Sequence, residues 1–198
     1  MVKDAYLLKG FALAHEALIL GNLGLVLAMA PFRHMVTPGG FTMSVAMTNC
    51  GLGWVTDRKG YRYTDNDPVT NQPWPVIPDS FKELASAAAT EAGFMNFEPD
   101  ACLINRYNIG ARMSLHQDKN EQDFSRPIVS VSLGLPAIFQ FGGLERTDKT
   151  IKIPLRHGDM VVWGGEARLR YHGVLPLKTN YHPAFGNCRI NLTFRKAG

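Results

Sequence analysis

Ala101-Cys-Leu-Ile-Asn-Arg-Tyr-Asn-Ile-Gly-Ala-Arg-Met-Ser-Leu-His-Gln-Asp118 is the stretch on which the reading of the chain turns. Its pattern predicts a strand over 101–108, a break, and a second strand over 113–117. In an extended chain, residues two apart point to one face. Asn105 and Tyr107 then share a face. If the extension persists to residue 118, His116 and Asp118 also project together, an imidazole and a carboxylate aimed at one point.

Working outward, the region after Pro99 reads as short strands near 101–108, 113–117, 127–134, 137–141, 150–154, 159–163, 168–173 and 188–195, separated by turns. Eight short strands without intervening helices indicate a sandwich, jelly roll or small barrel. Upstream, Tyr6-Leu-Leu reads as a strand and Ala12 to Met29 as a helix packed by its leucines, ended by Pro31. Phe41 to Asn49 alternates, with Thr, Ser, Ala and Thr on one face and Phe, Met, Val and Met on the other. Residues 51–78 read as a long irregular loop rich in Trp54, Arg58, Lys59, Tyr61, Arg62, Tyr63 and Trp74, and loops of that length are functional or disordered; its aromatics argue against disorder. Pro78-Asp-Ser80 is expected to cap a helix over Phe81 to Glu91, closed by Gly93.

A chain of 198 residues suits a single domain. Within it, residues 1–98 are expected to form N-terminal helices, strands and a lid, and 99–198 the β-rich core. Hydrophobic content of 45% and charged content of 19% exclude a disordered chain. A net charge of +4 permits an anionic partner such as nucleic acid. Three cysteines without CxxC spacing argue against a disulfide framework or a structural zinc site, and for a reducing compartment. The apolar run Leu18 to Leu27 with Ala28-Met-Ala30 has some features of a secretory signal. Asp4, His15, Glu16 and Asn22 interrupt it, so it is read as a helix packed on the domain. No stretch is long enough to span a membrane, and the expected location is the cytoplasm.

His-x-Asp by itself says little, because the chain holds a second one, His157-Gly-Asp159. Its Gly-Asp falls between two strands and reads as a turn. His116-x-Asp118 leaves about fifty residues before His172, room for strands to return the chain. Three such ligands would make a 2-His-1-carboxylate facial triad, the arrangement of non-haem Fe(II) oxygenases. In Arg189-Ile-Asn-Leu-Thr-Phe-Arg195, alternation sets Arg189, Asn191, Thr193 and Arg195 on one face and Ile190, Leu192 and Phe194 on the other. Facing a barrel interior, two arginines on one wall suit a ligand with two carboxylates.

Together, Asn105-Arg-Tyr107, His116-Gln-Asp118, Phe141-Gly-Gly143, Trp163-Gly-Gly165, His172-Gly173 and Arg189-x-Asn191-Leu-Thr-Phe-Arg195 strongly resemble the AlkB family of alkylation-repair dioxygenases. The resemblance runs in order from about Pro31 to the C-terminus. It implies a mostly β fold with flanking helices, a double-stranded β-helix (jelly roll) core under an N-terminal nucleotide-recognition lid. It implies Fe(II) held by His116, Asp118 and His172, and 2-oxoglutarate held by Asn105, Tyr107, Arg189, Asn191 and Arg195. Arg189 would meet the distal carboxylate of 2-oxoglutarate, and Arg195 would lie near the carboxylate attached to iron. O2 is the other co-substrate.

The implied reaction is oxidative demethylation of N-alkylated bases such as 1-methyladenine or 3-methylcytosine in DNA or RNA, releasing formaldehyde, succinate and CO2. The implied partner is alkylated DNA or RNA, single- or double-stranded, met by a monomer. By the same resemblance Trp54 and His116 would sandwich the base, with Tyr61, Arg62 and Tyr63 on the sugar and backbone. Met43 and Met47 would lie along the lid, and Arg146 would reach the substrate. Trp163 is expected in the core; His15, His34, His157 and His182 are read as structural or surface residues. One departure stands out. The best-known bacterial members carry an aspartate that contacts the base where this chain has Asn120, and an amide both donates and accepts. Asn120 is therefore expected to favour, relative to those members, lesions that present carbonyl oxygens, 1-methylguanine and 3-methylthymine. Alternatives are an oxygenase of the same superfamily acting on protein or a small molecule, and a jelly-roll binding module without catalysis.

Overall fold

In the computed structural model, which describes residues 1–198, the strands and helices run in this order. β1 (Ala5–Leu8) leads into α1 (Glu16–Met29), followed by β2 (Arg33–Val36), β3 (Thr42–Gly51), β4 (Gly53–Asp57), β5 (Gly60–Thr64) and α2 (Asp79–Glu91). The remainder is strand: β6 (Ala101–Asn108), β7 (Met113–His116), β8 (Ile128–Gly134), β9 (Ala137–Phe141), β10 (Ile151–Leu155), β11 (Met160–Trp163), β12 (His172–Val174) and β13 (Cys188–Arg195). A seven-stranded antiparallel sheet has the order β1-β11-β8-β13-β6-β3-β2, a four-stranded sheet the order β10-β9-β12-β7, and β4-β5 form a separate hairpin. The result is a mostly β jelly roll with two helices. β1, β2 and β3 lie in the same sheet as β6, β8, β11 and β13, so the division at residue 98 does not separate layers.

β13 shows why both faces of the large sheet are buried. Ile190, Leu192 and Phe194 point outward into a core completed by Ile19, Leu23 and Val26 of α1 and Phe81, Leu84 and Ala88 of α2. Phe81 meets Phe194 edge to face at 6.1 Å. Burying each large apolar side chain contributes about 1.5–3 kcal/mol. The other face carries Arg189, Asn191, Thr193 and Arg195 into the space between the sheets, where all four are at least 94% buried. A polar interior under an apolar exterior works here because the helices cover the outside.

Several expectations change. α1 is packed by Ile19, Leu23 and Val26 rather than by its leucines as a set; Leu18 and Leu25 are exposed. α2 begins at Asp79 without a side-chain cap, because its N-cap is Pro78, which has no polar side chain; the Ser80 hydroxyl accepts the amide of Asn22 at 2.8 Å and ties the helices together. Residues 168–173 are not one strand: a 3-10 turn covers Gly165–Ala167 and β12 starts only at His172. The β3 alternation fails in its second half, where residues 45–50 are all buried between the helices and the interior. Met47 is fully buried there and is core, whereas Met43 packs only partly at its margin.

The largest correction falls in residues 51–78, which hold a hairpin rather than a wholly irregular loop. Trp54 pairs with Tyr63, and Thr56 with Tyr61. The glycines that read as breakers serve the hairpin. Gly60 turns it at φ +109°, and a Cβ on Gly53 would lie 2.0 Å from the Trp74 indole nitrogen. The following turn is fixed by a bidentate Arg33–Asp67 ion pair, with Arg33 lying over the Trp74 ring. No helix is long and apolar enough to cross a membrane.

Candidate active site

The strand carrying His116 ends at His116, so Asp118 lies just beyond β7 rather than on it. The convergence survives because β12 pairs directly with β7, bringing His172 opposite His116. Close approach of the two strands requires Gly173, whose Cβ would fall 2.7 Å from the Met113 carbonyl. His116 Nε2 lies 3.6 Å from Asp118 Oδ1, and His172 Nε2 lies 3.7 Å from Oδ2. Candidate ligand atoms of the three residues all fall within 4.8 Å of one another.

Each histidine is oriented by its own main chain. Nδ1 of His116 lies 2.9 Å from the Ser114 carbonyl, and Nδ1 of His172 lies 3.0 Å from that of Arg170. A carbonyl only accepts, so Nδ1 carries the proton and Nε2 keeps its lone pair for the centre. Burial, reinforced by neighbouring His116, lowers the His172 pKa to about 4, against the pull of Asp118. Burial acts to raise the Asp118 pKa, but Arg195 and the two histidines outweigh it and hold the carboxyl well below the usual carboxylate range. Two imidazole Nε2 atoms and one ionised carboxylate turned toward one point fit a divalent iron.

The wall beside this cluster has unspent donors. Arg189 Nη2 donates to Ser132 Oγ at 2.9 Å and the guanidinium lies over the Tyr107 ring at 5.0 Å, yet its Nε and Nη1 have no partner. Arg195 donates from Nε and Nη2 to Asp118 Oδ2 at 2.9 and 2.7 Å, leaving Nη1 unpaired. Arg195 is therefore tied first to Asp118, with one donor left for a neighbouring carboxylate. Buried donors without acceptors are costly, and an anionic ligand removes the cost. Asn105, Tyr107, Asn191, Thr193 and the two arginines line one cavity with His116, Asp118 and His172. Asn191 is held by Ser130 Oγ and the Val131 carbonyl, at 2.8 and 2.9 Å. This donor set fits 2-oxoglutarate.

The hairpin supplies the mouth. Trp54 stacks on Tyr61 at 5.7 Å rather than on His116, and its indole N–H donates to Asn120 Oδ1 at 3.1 Å. Arg62 is engaged within the hairpin by Asp57, at 2.9 and 2.7 Å. Tyr63 turns inward and donates to Glu121 at 2.5 Å. Arg146 is exposed and lines a separate cavity of about 310 Å³ with Arg112 and Gln140. Trp163 is 2% exposed and packs 5.0 Å from His172, core and cavity wall at once. Sequence reading missed Glu121 and Arg168, buried partners of this centre. Their only sequence signal is proximity, Glu121 to Asp118 and Arg168 to His172.

Comparison with known proteins places the chain. Residues 4–195 match the 2OG-Fe(II) oxygenase superfamily. The chain belongs to that superfamily. It is 60% identical over 199 residues to alpha-ketoglutarate-dependent dioxygenase AlkB of Escherichia coli (strain K12), covering 100% of this chain and 92% of that protein. It is 34% identical to nucleic acid dioxygenase ALKBH1 of Mus musculus over 62% of this chain and 31% of that one. The solved structure of OsALKBH1 superposes with a TM-score of 0.86 at 28% identity, covering 99% and 98% of the two chains. The protein is an Fe(II)/2-oxoglutarate-dependent dioxygenase, using O2 as co-substrate.

Proposed function

We propose that this dioxygenase demethylates N-alkylated bases, of the 1-methyladenine and 3-methylcytosine type, in DNA and in RNA. The observation that carries the reading is an aromatic hairpin, Trp54 stacked on Tyr61, joined by the Trp54–Asn120 bond to the loop that follows Asp118. A base leaves its stack to be modified and is held by aromatic stacking and edge contacts. The relatives, a nucleic acid dioxygenase among them, support the same substrate class.

In this reading His116, Asp118 and His172 hold the iron, and Arg189, with Asn105, Tyr107 and Asn191, holds 2-oxoglutarate. Bound iron would let O2 oxidise an unactivated C–H bond, chemistry that no side chain offers, with 2-oxoglutarate as the two-electron reductant, itself oxidised to succinate and CO2. The methyl group becomes a hemiaminal that loses formaldehyde and restores the base. The protein's own residues orient. Arg195 fixes Asp118, the Ser114 and Arg170 carbonyls fix the two imidazoles, and the spare donors of Arg189 meet a carboxylate. Trp54, Tyr61 and Arg146 receive the nucleotide.

Asn120 tunes the base. An indole N–H only donates, so the Trp54 bond fixes the Asn120 oxygen and leaves its NH2 group for the substrate. A free donor favours lesions that present a carbonyl oxygen. Formaldehyde and succinate release from a methylated oligonucleotide, with and without iron, tests the reaction. Iron-dependent release supports it, and absence of release from any methylated base overturns it in favour of an oxygenase of protein or small molecules.

A further inference from the structure

Glu121 is a buried carboxylate beside the iron cluster, and the demethylation chemistry leaves it without a task. Its side chain is 1% exposed. The Tyr63 hydroxyl donates to Oε1 at 2.5 Å, Arg195 Nε lies 3.5 Å from the same oxygen, and Arg168 Nη2 donates to Oε2 at 3.1 Å. Arg168 also donates from Nη1 to the Asp118 carbonyl at 2.8 Å and from Nε to the Arg126 carbonyl at 3.0 Å. One buried guanidinium thus holds both ends of the segment between residues 118 and 126, and Glu121 holds that guanidinium.

The hairpin reaches the same segment twice. Trp54 and Tyr63 face each other across β4 and β5, and they donate to consecutive residues, Asn120 and Glu121. The two bonds differ in environment. The Trp54–Asn120 bond is exposed, where water or a substrate amide competes for it. The Tyr63–Glu121 bond joins a phenol to a buried charge, a stronger class of bond. It is kept from being a lone buried charge by two arginines. The inner bond is therefore the stronger of the two ties between the hairpin and this segment.

We infer that Glu121 is a positioning residue that fixes the lid hairpin to the loop carrying Asp118, so that lid order and the placement of a metal ligand are set together. The identity of what the lid covers rests on the demethylase reading; the latch itself does not.

The test follows amide hydrogen exchange in the protein loaded with Fe(II) and 2-oxoglutarate, the iron titration read by the visible absorption of the loaded site, and succinate formed per formaldehyde released. Tyr63→Phe removes one hydroxyl and leaves Glu121 with its arginines. Amides of residues 53–64 should exchange about tenfold faster, the loss expected for one charge-assisted bond. Amides of β13 should be unchanged and the iron midpoint should stay within about twofold of wild type, while succinate exceeds formaldehyde. Glu121→Gln keeps an acceptor for Tyr63 but turns a donor onto Arg168. It should hold the hairpin better than Tyr63→Phe and shift the iron midpoint about tenfold.

Unchanged hairpin exchange in Tyr63→Phe overturns the inference. So does equal acceleration across β13, which marks a merely structural role, or an unmoved iron midpoint in Glu121→Gln. If the wild-type protein releases no formaldehyde, the demethylase reading fails, and the exchange and iron arms still decide the latch.

Discussion

His116-x-Asp118 and His157-x-Asp159 are the same three-residue pattern put to opposite uses. At 116 and 172 the imidazole Nδ1 faces a main-chain carbonyl, which fixes the proton there and leaves Nε2 open toward Asp118. At 157 the partner is reversed: Nδ1 accepts the Gly134 N–H at 3.0 Å, so the proton sits on Nε2, 3.3 Å from Glu16. The carboxylates diverge likewise. Asp118 is fixed by the Arg195 guanidinium, whereas Asp159 accepts the backbone N–H groups of Gly10 and Arg156, at 2.9 and 2.8 Å, around Gly158 at φ +83°. A histidine's main-chain partner decides its tautomer, and the tautomer decides which ring nitrogen can ligate.

The sharpest way to break this contrast is to delete each histidine. His116→Ala should lower demethylation by at least about 10³-fold with the fold retained, because the metal supplies several kcal/mol of stabilisation. His157→Ala should keep the activity of the folded enzyme and lower only its melting temperature; the reverse pattern would exchange the two roles. Extending the contrast to the cavity wall, Arg189→Lys keeps the charge but loses the fork. It should raise KM for 2-oxoglutarate about 10–100-fold with a much smaller change in kcat, measured by succinate formation.

Asp159→Ala should cost about 1–3 kcal/mol in denaturant unfolding, as two backbone N–H groups lose their acceptor, without moving the iron titration. The smallest effect is expected at Asn120→Asp. Relative rates on the four lesions should shift by roughly threefold to tenfold toward 1-methyladenine and 3-methylcytosine, and an unchanged ranking would remove the role assigned to Asn120.

The strands of residues 99–198 were legible because their alternation is strict, and β13 falls at the expected bounds, Cys188–Arg195. Which face of β13 looks inward was not a property of its own residues. It is set by α1 and α2, whose side chains cover the apolar face from outside. The β4–β5 hairpin escaped because its glycines are explained only by Trp74 packing against Gly53 and by the tight turn at Gly60. Within the site, residues that face the cavity could be found by their spacing. Glu121 and Arg168 could not, since they matter through partners 42 to 74 positions away. The same holds for the commitment of Arg195 to Asp118, 77 residues distant.

Oxidative demethylation of a base held under the Trp54 hairpin is assigned to the His116, Asp118 and His172 cluster. Formaldehyde release from a 1-methyladenine oligonucleotide, measured with Fe(II) and 2-oxoglutarate present or withheld, tests it most directly. Formaldehyde and succinate should form in equal amounts and vanish when either Fe(II) or 2-oxoglutarate is withheld and in His116→Ala. Release that persists in His116→Ala, or that ignores iron, would contradict it.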